Sequence, residues 1–166
     1  MTPTIFTIGH SRHAAEHFAS LLRANAIARL VDVRSHPASK WAPHFGKVTL
    51  SQLLHRHGID YVFLGRELGG RPAGAEYHRE GGAIDYARRA DAPDFKAGIE
   101  RLVSLAAERR TVILCAEEDP SRCHRRLLVA PALWRAGASV VHIRGDASVE
   151  CDDEPGAGSA QLGLFP

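Results

Sequence analysis

Five short apolar runs, each closed by polar residues and separated from the next by a longer segment, constrain this chain more than any other feature: Ile5 to Ile8, Ile27 to Val33, Tyr61 to Leu64, Thr111 to Cys115 and Ala138 to Ile143. Runs of this length bounded by Gly, Pro or polar residues read as strands rather than helices. Thr111 to Cys115 (TVILC) is apolar on both faces, as a strand covered on both sides of a parallel sheet must be. The intervening segments carry helical spacing. Phe18, Leu21 and Leu22 follow the first strand, with Ser11 as the predicted N-cap. Thr49 to His57 is closed by Gly58, and Phe95, Ile99, Leu102, Val103 and Leu105 mark an amphipathic helix. Asp119-Pro120 opens a predicted helix running to about Ala136, with a kink at Pro131. Strands alternating with helices predict an α/β fold: a single three-layer domain with a mainly parallel sheet of about five strands and helices on both faces.

A chain of 166 residues buries roughly two thirds of its unfolded surface, so a core forms without a disulfide or structural metal. The three cysteines, Cys115, Cys123 and Cys151, are too few for a disulfide framework and fit a reducing compartment. Neither a long apolar run nor a basic, apolar leader is present, which predicts a cytoplasmic protein with no membrane partner.

Net charge is +2, but residues 146–166 hold Asp146, Glu150, Asp152, Asp153 and Glu154 and no Lys or Arg. Residues 1–145 therefore carry 21 basic against 14 acidic side chains, an excess suited to a polyanionic partner such as DNA. The predicted domain spans 1–145, and 146–166 reads as a flexible acidic tail.

In an open parallel sheet ligands bind beyond the carboxyl ends of the strands, so the polar residues after each run are the candidate site. They are His10 and Ser11, Asp32 and Arg34, Arg66 and Glu67, and Cys115 and Glu117; the next helix start adds Cys123, His124, Arg125 and Arg126. Cys115 at a strand end invites comparison with rhodanese and cysteine-phosphatase cradles. Glu117, Glu118 and Asp119 would repel an anion there, so Cys115 is expected to be a buried small hydrophobe. Cys115, Cys123 and His124 lack paired metal-ligand spacings, and neighbouring side chains on a helix diverge. No metal is therefore expected, although Asp32 with Glu117 leaves Mg²⁺ open. Lys40, Trp41, His36, His44, Phe45 and Lys47 fall in one loop without an acid, a mixture suited to phosphates and stacked bases. The Gly- and Arg-rich stretch from Gly65 to Gly82 is long enough to be read as functional.

Gln161-Leu162-Gly163-Leu164-Phe165, at the end of the acidic, Gly-rich tail, resembles the peptide with which bacterial replication and repair proteins dock on the sliding clamp. Two Leu and a Phe on a tether suit a partner's apolar pocket.

TIGHS at 7–11, VDVR at 31–34 followed by Pro37 and Ser39, LGGR at 68–71, and CAE-DP--CHR from Cys115 to Arg125 together resemble the family called domain of unknown function 488. The resemblance covers nearly the whole body. It implies a compact α/β domain with a site built from those motifs, and it confers no activity.

These features lead to the expectation of a DNA-processing or repair hydrolase, base-excising rather than nucleolytic, docked on the clamp by Gln161, Leu162, Leu164 and Phe165. Glu117 would activate water or stabilise an oxocarbenium-like sugar, and His10 or His124 would protonate the leaving base. Asp32 completes the catalytic set. Arg34, Arg71, Arg125 and Arg126 would hold phosphates, with Ser11, Lys40, Trp41 and Cys123 also facing substrate. The alternatives are a rhodanese-like sulfurtransferase or phosphatase using Cys115, and a non-catalytic nucleic-acid-binding adaptor.

Overall fold

The computed structural model describes residues 2–155. Its elements are β1 (Thr4–Gly9), α1 (Ala15–Ala24), β2 (Arg29–Asp32), α2 (Lys47–Arg56), β3 (Asp60–Phe63), α3 (Gly65–Leu68), α4 (Tyr86–Ala90), α5 (Pro93–Glu108), β4 (Thr111–Cys115), α6 (Ala130–Arg135), β5 (Ser139–Ile143) and β6 (Val149–Asp152), with short helical turns between them. The strands form one sheet in the order β3-β2-β4-β1-β5-β6. All pairings are parallel except β5 with β6.

Strand alternation divides the core into two layers. Phe6 and Ile8 of β1 and Val112 and Leu114 of β4 face α1 and α2, meeting Phe18, Leu22, Leu50 and Leu54. Ile5 and Ile113 point the other way, onto Phe95, Ile99 and Leu102 of α5 and Leu133 of α6. The period of two along a pleated strand and the helical period on each covering face thus produce the three-layer α/β arrangement. No helix among the described residues is long and apolar enough to cross a membrane.

The sheet has six strands, not about five. The sixth lies beyond Gly145, where the sequence reading ends the domain. Val149–Asp152 is a poor strand by composition, yet it pairs with β5 from Ile143↔Val149 to Val140↔Asp152. Asp152 explains the docking: its Oδ2 accepts from His142 Nε2 (2.9 Å) and Arg126 Nε (2.8 Å), and its backbone carbonyl accepts from Trp134 Nε1 (3.0 Å).

Two helix boundaries also differ. Helix α1 starts after Ala14 with no side-chain cap, and Ser11 instead sits in the left-handed region at φ 45°. The segment opened by Asp119 does not run on as one helix. Its first turn, Pro120–Arg122, ends at Cys123, which is extended (φ −119°, ψ 146°). A widened turn over Arg125–Val129 then leads into α6, and Pro131 sits directly after that widening, where its missing N–H and its ring disturb a regular ladder least.

Connections from β1 and β2 pass to one face of the sheet, whereas those from β3 and β4 pass to the other, and β4 lies between β1 and β2. The loops leaving β4 and its two neighbours therefore diverge and open a crevice above the carboxyl end of β4.

Candidate functional site

A cavity of about 410 Å³ occupies that crevice. It is lined by His10 from the end of β1, by Arg34, Ser35, His36, Ala38 and Ser39 after β2, and by Gly70, Arg71 and Tyr86 from the long connection after β3. Cys115, Ala116, Glu117, Arg122, Cys123 and His124 complete it after β4.

The walls are tied together by backbone bonds. His10 N–H donates to the carbonyl of Cys115 (3.0 Å) and Ser11 N–H to that of Ala116 (2.9 Å). Gly9 makes this possible, because a Cβ there would overlap the Glu117 carbonyl. The Gly65 to Gly82 stretch does border the site. It is anchored from behind by the fully buried side of Arg89, which forks onto Asp94 (2.8 Å to each oxygen) and donates to the carbonyls of Arg66 and Glu67.

Asp32 is fully buried and lies outside the cavity lining. Arg34 forks onto both of its oxygens (Nε 2.9 Å, Nη2 2.7 Å), Arg34 N–H donates to Oδ1 and the Tyr61 hydroxyl donates to Oδ2 (2.7 Å). Burial together with this bond to the carboxylate pushes the Tyr61 hydroxyl well above its ordinary pKa. Both Asp32 oxygens are thus committed, so Asp32 positions Arg34 and is neither a catalytic group nor half of a Mg²⁺ pair with Glu117. Arg34 spends three of its N–H donors on Asp32 and on the Phe45 carbonyl (Nη1, 2.8 Å), leaving two of a guanidinium's five for the cavity.

His10 is buried, stacked on Phe45 with ring centroids 4.8 Å apart, and its Nδ1 donates to the Ser11 carbonyl (2.8 Å). Desolvation lowers its pKa below the ordinary histidine value, so it is neutral near pH 7 and suited to accept a proton at Nε2 rather than to donate one.

Arg125 and Arg126 are not phosphate ligands at this site. The winding of the chain turns Arg125 fully inward, onto the Glu118 carbonyl (2.6 Å), and turns Arg126 onto Asp152 and over the Trp134 ring. Arg71 and Arg122 instead stand exposed at the rim of the cavity. Among the described residues no carboxylate ion-pairs with either. Arg122 and Tyr86 escaped the sequence reading because neither directly follows a strand, whereas His36, read there as part of the basic and aromatic loop, does line the cavity. Lys40 and Trp41 are exposed outside the lining, Trp41 being 79% accessible with Arg12 over its ring, whereas Phe45 of the same loop is core. Glu117 is exposed and faces the cavity. Gln161, Leu162, Leu164 and Phe165 lie outside the described residues.

Cys115, Cys123 and His124 overturn the expectation that they stay apart. All three are buried, and their side-chain donor atoms lie within 4.8 Å of one another. The sulfurs are 2.9 Å apart, and His124 Nδ1 is 3.5 Å from Cys115 Sγ and 3.8 Å from Cys123 Sγ. Divergence of neighbouring side chains applies inside a helix. Cys123 is extended and His124 is the first helical residue (φ −59°, ψ −23°), so the two side chains turn to one point. The Cys115 thiol is accordingly held below the usual thiol pKa, chiefly by the hydrogen bond from Cys123 and then by His124, while Cys123 is pushed up as the proton donor.

The family model described as "Domain of unknown function DUF488" matches residues 14–131. No curated protein and no solved structure matches the chain.

Proposed function

Because the chain belongs to the DUF488 family, whose description assigns no chemistry, its function has to be argued from the site, and we propose that it is a hydrolase acting on DNA, base-excising rather than nucleolytic. The observation that carries this reading is the pairing of rim arginines Arg71 and Arg122, free of carboxylate partners among the described residues, with one exposed carboxylate, Glu117, in a cavity of nucleotide size. One nucleotide extruded from the strand enters the cavity, and its flanking phosphates rest on the two arginines. Glu117 takes a proton from water as the water oxygen bonds to the anomeric carbon. The sugar–base bond breaks, its electron pair leaves with the base, and the base is protonated from solvent or from Glu117. The Gln161–Phe165 peptide brings this site to replicating or repaired DNA by docking on the sliding clamp.

Incubation with end-labelled oligonucleotides carrying single damaged or mismatched bases tests the reaction. Base release is expected, with Glu117→Gln lowering turnover by about 10²-fold or more while DNA affinity is retained. Equal turnover by Glu117→Gln, or no release from any substrate, would remove the reading. Affinity should also fall steeply between low and moderate salt, as phosphate contacts require.

A second reading rests on a different observation, the contact between Cys115 Sγ, Cys123 Sγ and His124 Nδ1 at the cavity floor. A thiolate there suits a sulfurtransferase or a phosphatase with Cys115 as nucleophile. Full activity in Cys115→Ser, measured with thiosulfate and with an aryl phosphate, would exclude that mechanism.

A further inference from the structure

We propose that Cys115, Cys123 and His124 are three ligands of one zinc-type ion whose fourth coordination position opens into the cavity. Two thiolates and an imidazole are the donor set that selects zinc over magnesium or calcium. Around a tetrahedral zinc, with bonds of roughly 2.3 Å to sulfur and 2.0–2.1 Å to nitrogen, neighbouring donor atoms stand about 3.5–3.8 Å apart. The two sulfur–nitrogen separations, 3.5 and 3.8 Å, already have that length. The sulfur–sulfur edge, 2.9 Å, is the thiol-to-thiol contact and opens when the shared proton leaves.

Two further observations point to a ligand rather than to a sealed polar knot. His124 Nε2 faces the Val33 carbonyl at 3.1 Å, so that nitrogen carries the proton and Nδ1 presents its lone pair to the sulfurs. Such a carbonyl partner is the usual orienting device for a metal-bound histidine. Gly70 leaves room for the ring, since a Cβ there would stand 2.7 Å from His124 Cγ.

All three donors line the cavity beside Glu117, which matches the three-ligand, open-position pattern of catalytic rather than structural zinc. On the hydrolase reading, and resting on it, the ion would hold the attacking water next to Glu117 and lower its pKa toward neutrality. Ligand assignment itself does not depend on that reading.

The experiment is metal analysis of the reduced, full-length protein by mass spectrometry, followed by replacement with Co²⁺. About one zinc per chain is expected, and the cobalt form should show a sulfur-to-cobalt charge-transfer band with the intense visible bands of tetrahedral coordination. Cys115→Ser and His124→Gln should lower the stoichiometry at least tenfold, whereas Cys151→Ser, which changes an exposed cysteine outside the cavity, should leave it at one. Should the ligand variants fail to fold, thiol titration of the wild-type chain still decides: one thiol reacts rapidly in the metal-loaded protein and three after chelation. Absence of both zinc and a cobalt spectrum in reduced protein, or a Cys115–Cys123 disulfide that on reduction takes up no metal, would overturn the assignment. Metal-loaded protein that releases no base would instead count against the hydrolase reading and leave the metal site standing.

Discussion

Gly9 shows how much can depend on one missing side chain. The strand end it occupies lies against the Glu117 carbonyl, and a methyl group there must push the β4 loop away from β1. Two backbone bonds, from His10 to Cys115 and from Ser11 to Ala116, would be lost with that displacement. Gly9→Ala is therefore expected to cost about 3 kcal/mol, at the upper end of overpacking penalties. In a chain of this size that corresponds to a fall of roughly 6–12 °C in Tm, measurable by calorimetry. A shift under about 2 °C would mean that the loop moves freely and that the close approach is not needed. The sequence marked Gly9 as part of TIGHS, but nothing local to Gly9 revealed which carbonyl it meets. His10 and Glu117 were legible as candidates because they follow strands. Asp32 was legible as polar and strand-terminal as well, yet its burial against Arg34 and Tyr61, contacts from 2 and 29 residues away, removes it from the chemistry.

Among the elements, β6 depends on ionisable groups more than on apolar packing, three of its four residues being exposed. Thr7 Oγ1 lies 2.6 Å from His142 Nδ1, and His142 Nε2 lies 2.9 Å from Asp152, whose charge is already met by Arg126. A second charge on His142 is not needed there, and desolvation lowers its pKa below the ordinary 6.5 despite the Asp152 carboxylate. A lowered folded-state pKa means that the unfolded chain binds more protons, so this contribution is present above pH 6.5 and is lost as pH falls below it. Glu118 acts later. Arg144, with the Gly145 N–H, holds it at about 2 against an ordinary 4.5, so its contribution is lost as pH falls from 4.5 towards 2. Chemical denaturation across this range should show stability falling first below pH 6.5 and again below pH 4.5. Asp152→Ala should destabilise the protein by about 1–3 kcal/mol by removing the acceptor shared by buried His142 and Arg126, and amide exchange in β6 should accelerate most. Uniform exchange rates in Asp152→Ala would refute the claim that this carboxylate docks the strand.

For the whole molecule, charge is unevenly distributed along the chain. Residues 1–145 carry the basic excess, while the acidic groups after Gly145 are partly spent inside the fold, on Arg126 through Asp152 and on Arg144 through Glu150. On the proposed function, truncation after Ala160 abolishes binding to purified sliding clamp and leaves DNA affinity unchanged. Retained clamp binding in the truncated chain would separate the Gln161–Phe165 peptide from recruitment. Apolar spacing and the residues that end each strand were sufficient for the α/β class, the parallel sheet and the crevice at its carboxyl edge, because these follow from periodicities of two and 3.6 along the chain, while family membership was legible only in the TIGHS, VDVR, LGGR and CAE-DP--CHR motifs. Tertiary structure alone decided that Asp152 closes a sixth strand, that Arg125 and Arg126 turn away from the cavity while Arg122 reaches it, and that Cys115 meets Cys123 and His124. The last of those outcomes depends on a break in regular backbone at Cys123, where an extended residue beside a helical one sends neighbouring side chains to one point instead of apart, and no local periodicity encodes such a break.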